Sequence, residues 1–129
     1  LYSGKAGDAF LDRIQAVLST EKLDVERDEY NRVHVSEKLI NYLHCVVDLS
    51  RKDNTIALGI SPRGAQYWLR AAKTLAYFQH RDYLIPDDLL TVAKEVLAHR
   101  LLPVSGFEAL IDKQIEVVEN LLQKVPIPV

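Results

Sequence analysis

Residues 61–81 read Ser-Pro-Arg-Gly-Ala-Gln-Tyr-Trp-Leu-Arg-Ala-Ala-Lys-Thr-Leu-Ala-Tyr-Phe-Gln-His-Arg. Ser61 suits a helix N-cap, because its hydroxyl can accept a first-turn N–H. Pro62 suits the first helical position, where its missing N–H costs nothing. Ala65, Trp68, Leu69, Ala72, Leu75 and Ala76 then recur at the spacing of one buried helix face. The pattern predicts a helix from Ser61-Pro62 to about His80. On the opposite side, Arg63, Tyr67, Arg70, Thr74, Tyr77 and Arg81 share one stripe. The stretch also holds Lys73 and has no acidic residue, so it forms a concentrated positive ridge.

The flanking sequence repeats the helical period. Asp8–Leu18 carries Phe10, Leu11, Ile14 and Leu18 on one face. Thr20–Asn31, with Ser19 as its cap, is weakly apolar and predicted to lie on the surface. Ser36 caps a third segment whose stripe is Leu39, Ile40, Leu43, Val46 and Val47, ending at Ser50. Residues 51–54 read as a polar loop. Pro86-Asp87-Asp88 opens a fifth helix, with two carboxylates placed to complement the helix dipole, followed by Leu89, Val92, Ala93, Val96 and Leu97. Ser105-Gly106-Phe107-Glu108 is a capping-box pattern for a sixth, which Pro126 and Pro128 end. Val33-His34-Val35 and Asp82-Tyr83-Leu84-Ile85 are short extended pieces that could pair as a small two-stranded ribbon. The fold class expected is all-α: one compact bundle of five to six helices over residues 1–129, with 1–32 a helical lead-in and 33–129 the main body.

Composition narrows the function. The 129 residues are 48% hydrophobic and 26% charged, with net charge -2, an ordinary globular balance. No apolar run approaches a membrane span. A single cysteine, Cys45, excludes a disulfide scaffold and a four-thiolate zinc site. The chain begins at Leu1 and contains no Met, so a processed or excised piece of a longer protein is expected. No leader pattern marks it for secretion, and a cytoplasmic location is expected.

Independent catalysis is disfavoured by what is missing. There is no Gly-x-x-x-x-Gly-Lys-Ser/Thr loop, no Gly-x-Ser-x-Gly turn and no His-Glu-x-x-His. The four histidines are scattered, and His44 beside Cys45 points away from it on a helix, which reads as a packed cysteine and a half-exposed histidine. Arg63 is the sharpest feature. A cation in a first helical turn opposes the helix dipole, and that same field makes a good anion site. Gly64 beside it would let a ligand or another backbone approach closely. The bland alternative is a surface ion pair.

Four blocks in order carry a resemblance: Gly59-Ile60-Ser61-Pro62-Arg63-Gly64-Ala65, Leu69-Arg70-Ala71-Ala72-Lys73-Thr74-Leu75-Ala76, Arg81-Asp82-Tyr83-Leu84-Ile85-Pro86-Asp87-Asp88 and Val96-Leu97-Ala98-His99-Arg100-Leu101. With Val33-His34-Val35-Ser36 before them and the closing residues 121–128, they resemble the C-terminal helical lid of MoxR-type AAA+ ATPases. The resemblance implies a lid that folds over ATP and its Mg, both bound mainly by an absent α/β core of the same chain. It implies that Arg63 is sensor 2, reaching the γ-phosphate and completing a catalytic site on that core, with Ser61, Pro62 and Gly64 around it. It implies ring-forming subunits as neighbours and chaperone-like remodelling or maturation of a client protein. An excised lid should expose an apolar patch where the core would sit. One departure is Ile85, where the family often has a capping Thr.

A second reading is a nucleic-acid-binding helical module using the Arg63–Arg81 stripe, with Tyr67 and Tyr77 for stacking. The net charge of -2 counts against it, and no nucleic-acid partner is expected. A third is a plain protein-interaction bundle in which Arg63 is incidental.

Overall fold

Serine hydroxyls open three of the helices in the computed structural model, which describes residues 14–104 and 110–128. Ser19 accepts Lys22 N–H at 3.3 Å and starts α1 (Thr20–Arg32). Ser36 accepts Leu39 N–H at 3.4 Å and starts α2 (Glu37–Lys52). Ser61 accepts Gly64 N–H at 3.0 Å and starts α3 (Pro62–Phe78). Each bond satisfies one of the donors that a helix start leaves without a partner. The fourth helix, α4 (Pro86–Leu97), lacks such a cap, since Ile85 offers no acceptor. Asp88 compensates by accepting Ile85 N–H at 3.0 Å, the reciprocal half of a capping box. The last helix is α5 (Leu110–Lys124).

Five of the six expected helices are therefore present among the described residues. Residues 14–18 of the Asp8–Leu18 segment are not helical, and its earlier part lies outside the described residues. So does the Ser105-Gly106-Phe107-Glu108 cap. The helix capped by Ser36 runs two residues past Ser50, so the expected loop starts at Asp53.

The small sheet forms elsewhere than expected. β1 (Ile56–Leu58) pairs antiparallel with β2 (Leu102–Pro103), Ile56 opposite Pro103 and Leu58 opposite Leu102. The ribbon between Val33–Val35 and Asp82–Ile85 shrinks to one parallel bridge. His34 N–H donates to Asp82 O at 2.7 Å, and Leu84 N–H donates to His34 O at 2.9 Å. The helix starts at Glu37 and Pro86 turn both pieces away before a ladder can grow.

α3 runs through the core. Trp68, Ala72 and Ala76 are wholly buried on it, in one core cluster with Leu89, Ala93 and Leu97 of α4, Leu43 and Val46 of α2, and Val118 and Leu121 of α5. The two alanines let α3 and α4 approach closely, and Trp68 fills the gap beside them while its indole N–H donates to Leu89 O at 2.8 Å. Truncating such a residue typically costs about 3–5 kcal/mol. α1 is different: none of its residues is buried.

Two polar details refine the sequence reading. Asp88 is buried and does more than complement a dipole. The Arg81 guanidinium grips it with both ends, at 2.5 and 2.8 Å, and also donates to Tyr83 O and Gln79 Oε1. Removing one partner of such a buried pair costs about 3–5 kcal/mol. At the end of α3, His80 takes a positive φ of 57°. His80 N–H reaches Tyr77 O and Arg81 N–H reaches Ala76 O, the bond pair of a Schellman ending with histidine where glycine is usual.

Tyr42 is 4% exposed and its hydroxyl has no partner among the described residues. An unmet buried hydroxyl costs about 1–3 kcal/mol. Tyr42→Phe is therefore expected to raise Tm or leave it unchanged in a thermal melt, and a drop of several degrees would show that the hydroxyl has a partner in solution. Asp53 supplies a pH test. Lys124 Nζ lies 2.6 Å from its carboxylate, and Thr55 donates both its hydroxyl and its N–H. These donors, Lys124 first, hold the Asp53 carboxyl well below the usual carboxylate range. A lowered carboxylate pKa stabilises the fold above the unfolded value of about 3.9, and that stability is lost as pH falls through the folded pKa. Tm should fall on acidification below pH ~4, less steeply in Asp53→Asn, whereas equal acid slopes would remove Asp53 from the account.

Candidate functional site at the start of helix α3

The first turn of α3 is held from behind by α2. Ser50 is wholly buried; its hydroxyl donates to Val47 O at 2.6 Å and accepts Ile60 N–H at 2.9 Å. Arg51 donates Nε–H and Nη2–H to Ile60 O at 3.2 and 3.1 Å. Both backbone groups of Ile60 are thus fixed by adjacent residues of one helix. Gly59 makes this possible: a Cβ there would lie 2.6 Å from Ser50 O and 2.8 Å from its carbonyl carbon. The strap Gly59-Ile60 delivers Ser61 to its capping position.

Arg63 follows, exposed, its guanidinium without a hydrogen bond or ion pair among the described residues. Pro62 has no N–H, Gly64 N–H is taken by Ser61 Oγ and Ala65 N–H by Ser61 O at 3.0 Å. Free first-turn amides thus reduce to that of Arg63 itself. Ser61 and Pro62 are exposed beside it. The turn offers an amide, a guanidinium and no carboxylate ion-paired to it, a donor set that suits a phosphate oxygen.

Gly64 departs from the sequence reading. It is buried, and the space where its Cβ would stand is filled by Ile60 Cγ2 at 3.3 Å, Arg100 Cδ at 3.4 Å and Ser61 Oγ at 3.4 Å. The close approach it permits is that of Arg100, from the single 3-10 turn Ala98–Arg100 after α4. Nothing in isolated composition pointed to Arg100, Arg51 or Ser50; these meet the α3 start only through the packing of α2 and α4.

The basic stripe is not continuous. Arg63, Tyr67 and Arg70 are exposed, but the distal half is covered by α1. Tyr77 donates to Glu26 and also lies 3.2 Å from Glu29. These carboxylates, Glu26 first, raise its hydroxyl above the usual tyrosine range. Lys73 sits 4.8 Å from the Tyr30 ring centroid and reaches Asn31 O, while Arg81 is committed to Asp88. An Arg63–Arg81 surface for nucleic acid is therefore broken, with Tyr77 and Arg81 unavailable for it. Cys45 is exposed, not packed as expected. His44 is exposed as well. No cluster of metal-ligating residues occurs among the described residues, and no described helix is long and apolar enough to cross a membrane.

This helical arrangement matches a known lid. The family model for the AAA lid domain covers residues 49–121. Relatives include an uncharacterised protein, YeaC, of Bacillus subtilis, 30% identical over 92% of this chain and 37% of its own length. Chaperone MoxR1 of Mycobacterium tuberculosis is 37% identical over 73% of this chain and 27% of its own length. A crystal structure from Cytophaga hutchinsonii, provisionally described as an ATPase, superposes with a TM-score of 0.68 at 31% identity, over 80% of this chain and 34% of that one. The chain belongs to the AAA lid domain family, as a lid of the MoxR type. It spans about a third or less of the length of the relatives it matches.

The Gly59–Ser50 contact is directly testable. Gly59→Ala places a methyl against backbone that cannot move alone, and overpacking of this kind costs about 1–3 kcal/mol. The variant should melt several degrees lower than wild type; an unchanged Tm would mean that the strap does not hold the α3 start closed.

Proposed function

We propose that this chain is the nucleotide-sensing lid of a ring-forming MoxR-type AAA+ ATPase, and that Arg63 is its sensor 2 residue. In this reading residues 33–129 form the lid and 1–32 lead into it. ATP, with Mg, is held mainly by the α/β core of the same chain, and its hydrolysis supplies the free energy for remodelling or maturing a client protein. The observation that carries the reading is the exposed, unpaired guanidinium in a first helical turn whose field already favours an anion. Leu58 and Leu102, exposed on the small sheet beside Ser61 and Arg100, and the neighbouring exposed Val104 support the same face as the docking surface for the core.

Arg63 would add a charge-assisted contact to a phosphate positioned by the core. As charge redistributes over the phosphoryl oxygens, the guanidinium, once seated on the phosphate, stabilises it. When the terminal phosphate leaves, Arg63 loses its partner and the lid reorients against the core and the neighbouring subunit. Ser61 and Pro62 shape the turn that aims Arg63, and the two exposed residues border the nucleotide.

The test is made in the full-length ATPase. Arg63→Ala should slow ATP turnover by about 10²-fold or more, the order seen when one preorganised charge-stabilising donor is removed, while nucleotide affinity falls far less. The lid by itself should show no micromolar ATP binding in calorimetry. Wild-type turnover in Arg63→Ala, or tight ATP binding by the lid alone, would overturn the reading.

A further inference from the structure

A second guanidinium stands at the same end of α3. Arg100 reaches it because Gly64 has no Cβ: the Arg100 stem occupies that space, with Cδ 3.4 Å from the position a Cβ would take. Its Nε–H donates to Val96 O at 2.9 Å, and its Cζ lies 4.7 Å from the centroid of the Tyr67 ring. These contacts use one edge and one face of the guanidinium. The edge formed by Nη1 and Nη2, opposite Nε, has no partner among the described residues, and no carboxylate is ion-paired to it. That edge presents two parallel N–H groups and suits bidentate capture of an oxyanion.

The contrast with the other arginines is informative. Arg51, also at this end, has Nε and Nη2 on Ile60 O and serves the backbone. Arg81 is fully engaged by Asp88, Tyr83 and Gln79. Arg100 is anchored as firmly as a structural residue, yet one pair of its donors is left over. It is half-buried and borders a groove of about 470 Å³ shared with Gly59, Ser61 and Gln114. Each cation without a carboxylate partner near a helix start opposes the dipole there, and an anion relieves it.

We propose that Arg100 is a second phosphate-binding residue of this lid, presenting its Nη1–Nη2 edge to the polyphosphate of the nucleotide, with Gly64, Tyr67 and the Val96 carbonyl as the groups that aim it. The proposal rests on the nucleotide-sensing reading of this face. It divides the work between the two arginines. Arg63, exposed and unrestrained, follows the phosphate that is cleaved; Arg100, preset by three contacts, contributes mainly to binding.

The test compares variants of the full-length ATPase with ATP as the probe. Arg100→Ala should raise KM for ATP about tenfold while kcat changes less than threefold, the reverse of the pattern for Arg63→Ala; tenfold is the scale of one charged hydrogen bond to phosphate. Arg100→Lys, which keeps the charge and loses the fork, should recover only part of the affinity. Gly64→Ala, which crowds the Arg100 stem without touching its charge, should reproduce part of the KM increase. A lowered Tm with wild-type KM in both Arg100→Ala and Gly64→Ala would overturn the proposal and leave Arg100 as a packing residue. If Arg63→Ala is impaired and Arg100→Ala is not, the second-cation proposal fails while the sensor reading stands. If only Arg100→Ala is impaired, the sensor assignment of Arg63 fails instead.

Discussion

The whole exposed end of α3 depends on Ile60 being held at both its N–H and its C=O by the last turn of α2. Ser50 and Arg51 are neighbours in sequence, and a helix points neighbours about 100° apart. One side chain therefore works from inside the core and the other from its rim. Between them they convert an irregular strap into a rigid lead for α3. Ser61 then reaches its cap, Pro62 its first-turn position and Arg63 the solvent. The same clamp orients Gly64 inward, where its missing side chain is used by Arg100.

This construction separates two kinds of charge. Asp88 and Arg81 are buried together and satisfied, which pins the α3–α4 corner; Asp53 and Lys124 tie the turn after α2 to the end of α5. The guanidiniums around the start of α3 have no carboxylate partner among the described residues. A nearly neutral chain thereby presents an uncompensated positive end, with exposed Leu58 and Leu102 alongside.

Much of the fold could be read from periodicity and caps. The serine–proline start of α3, its alanine-lined face and the helices at Ser36 and Pro86 are local signals, set by residues within one or two turns. The β1–β2 pair could not be read, because Ile56–Leu58 and Leu102–Pro103 are too short to alternate and are brought together only by the bundle. Cys45 lies on an apolar helix, but its angular position faces solvent, which a reading by neighbours in sequence misses. Arg63 was visible as a cation in an unfavourable first turn. The continuous ridge behind it was not real, because the chemistry of the stripe also suits an acidic helix from the same chain. Ile85 showed a missing cap, and the rescue by Asp88 was open to view three residues on.

α1 joins the body with no buried residue, through hydroxyl–carboxylate, ammonium–ring and ammonium–carbonyl contacts to α3. Those contacts are the kind that dissolved ions weaken, whereas the Trp68 and Leu89 packing beneath is not. Anything that tugs on the chain ahead of residue 20 is thus passed to α3 through a joint whose grip is set by the salinity around it, like a clutch beside a fixed axle.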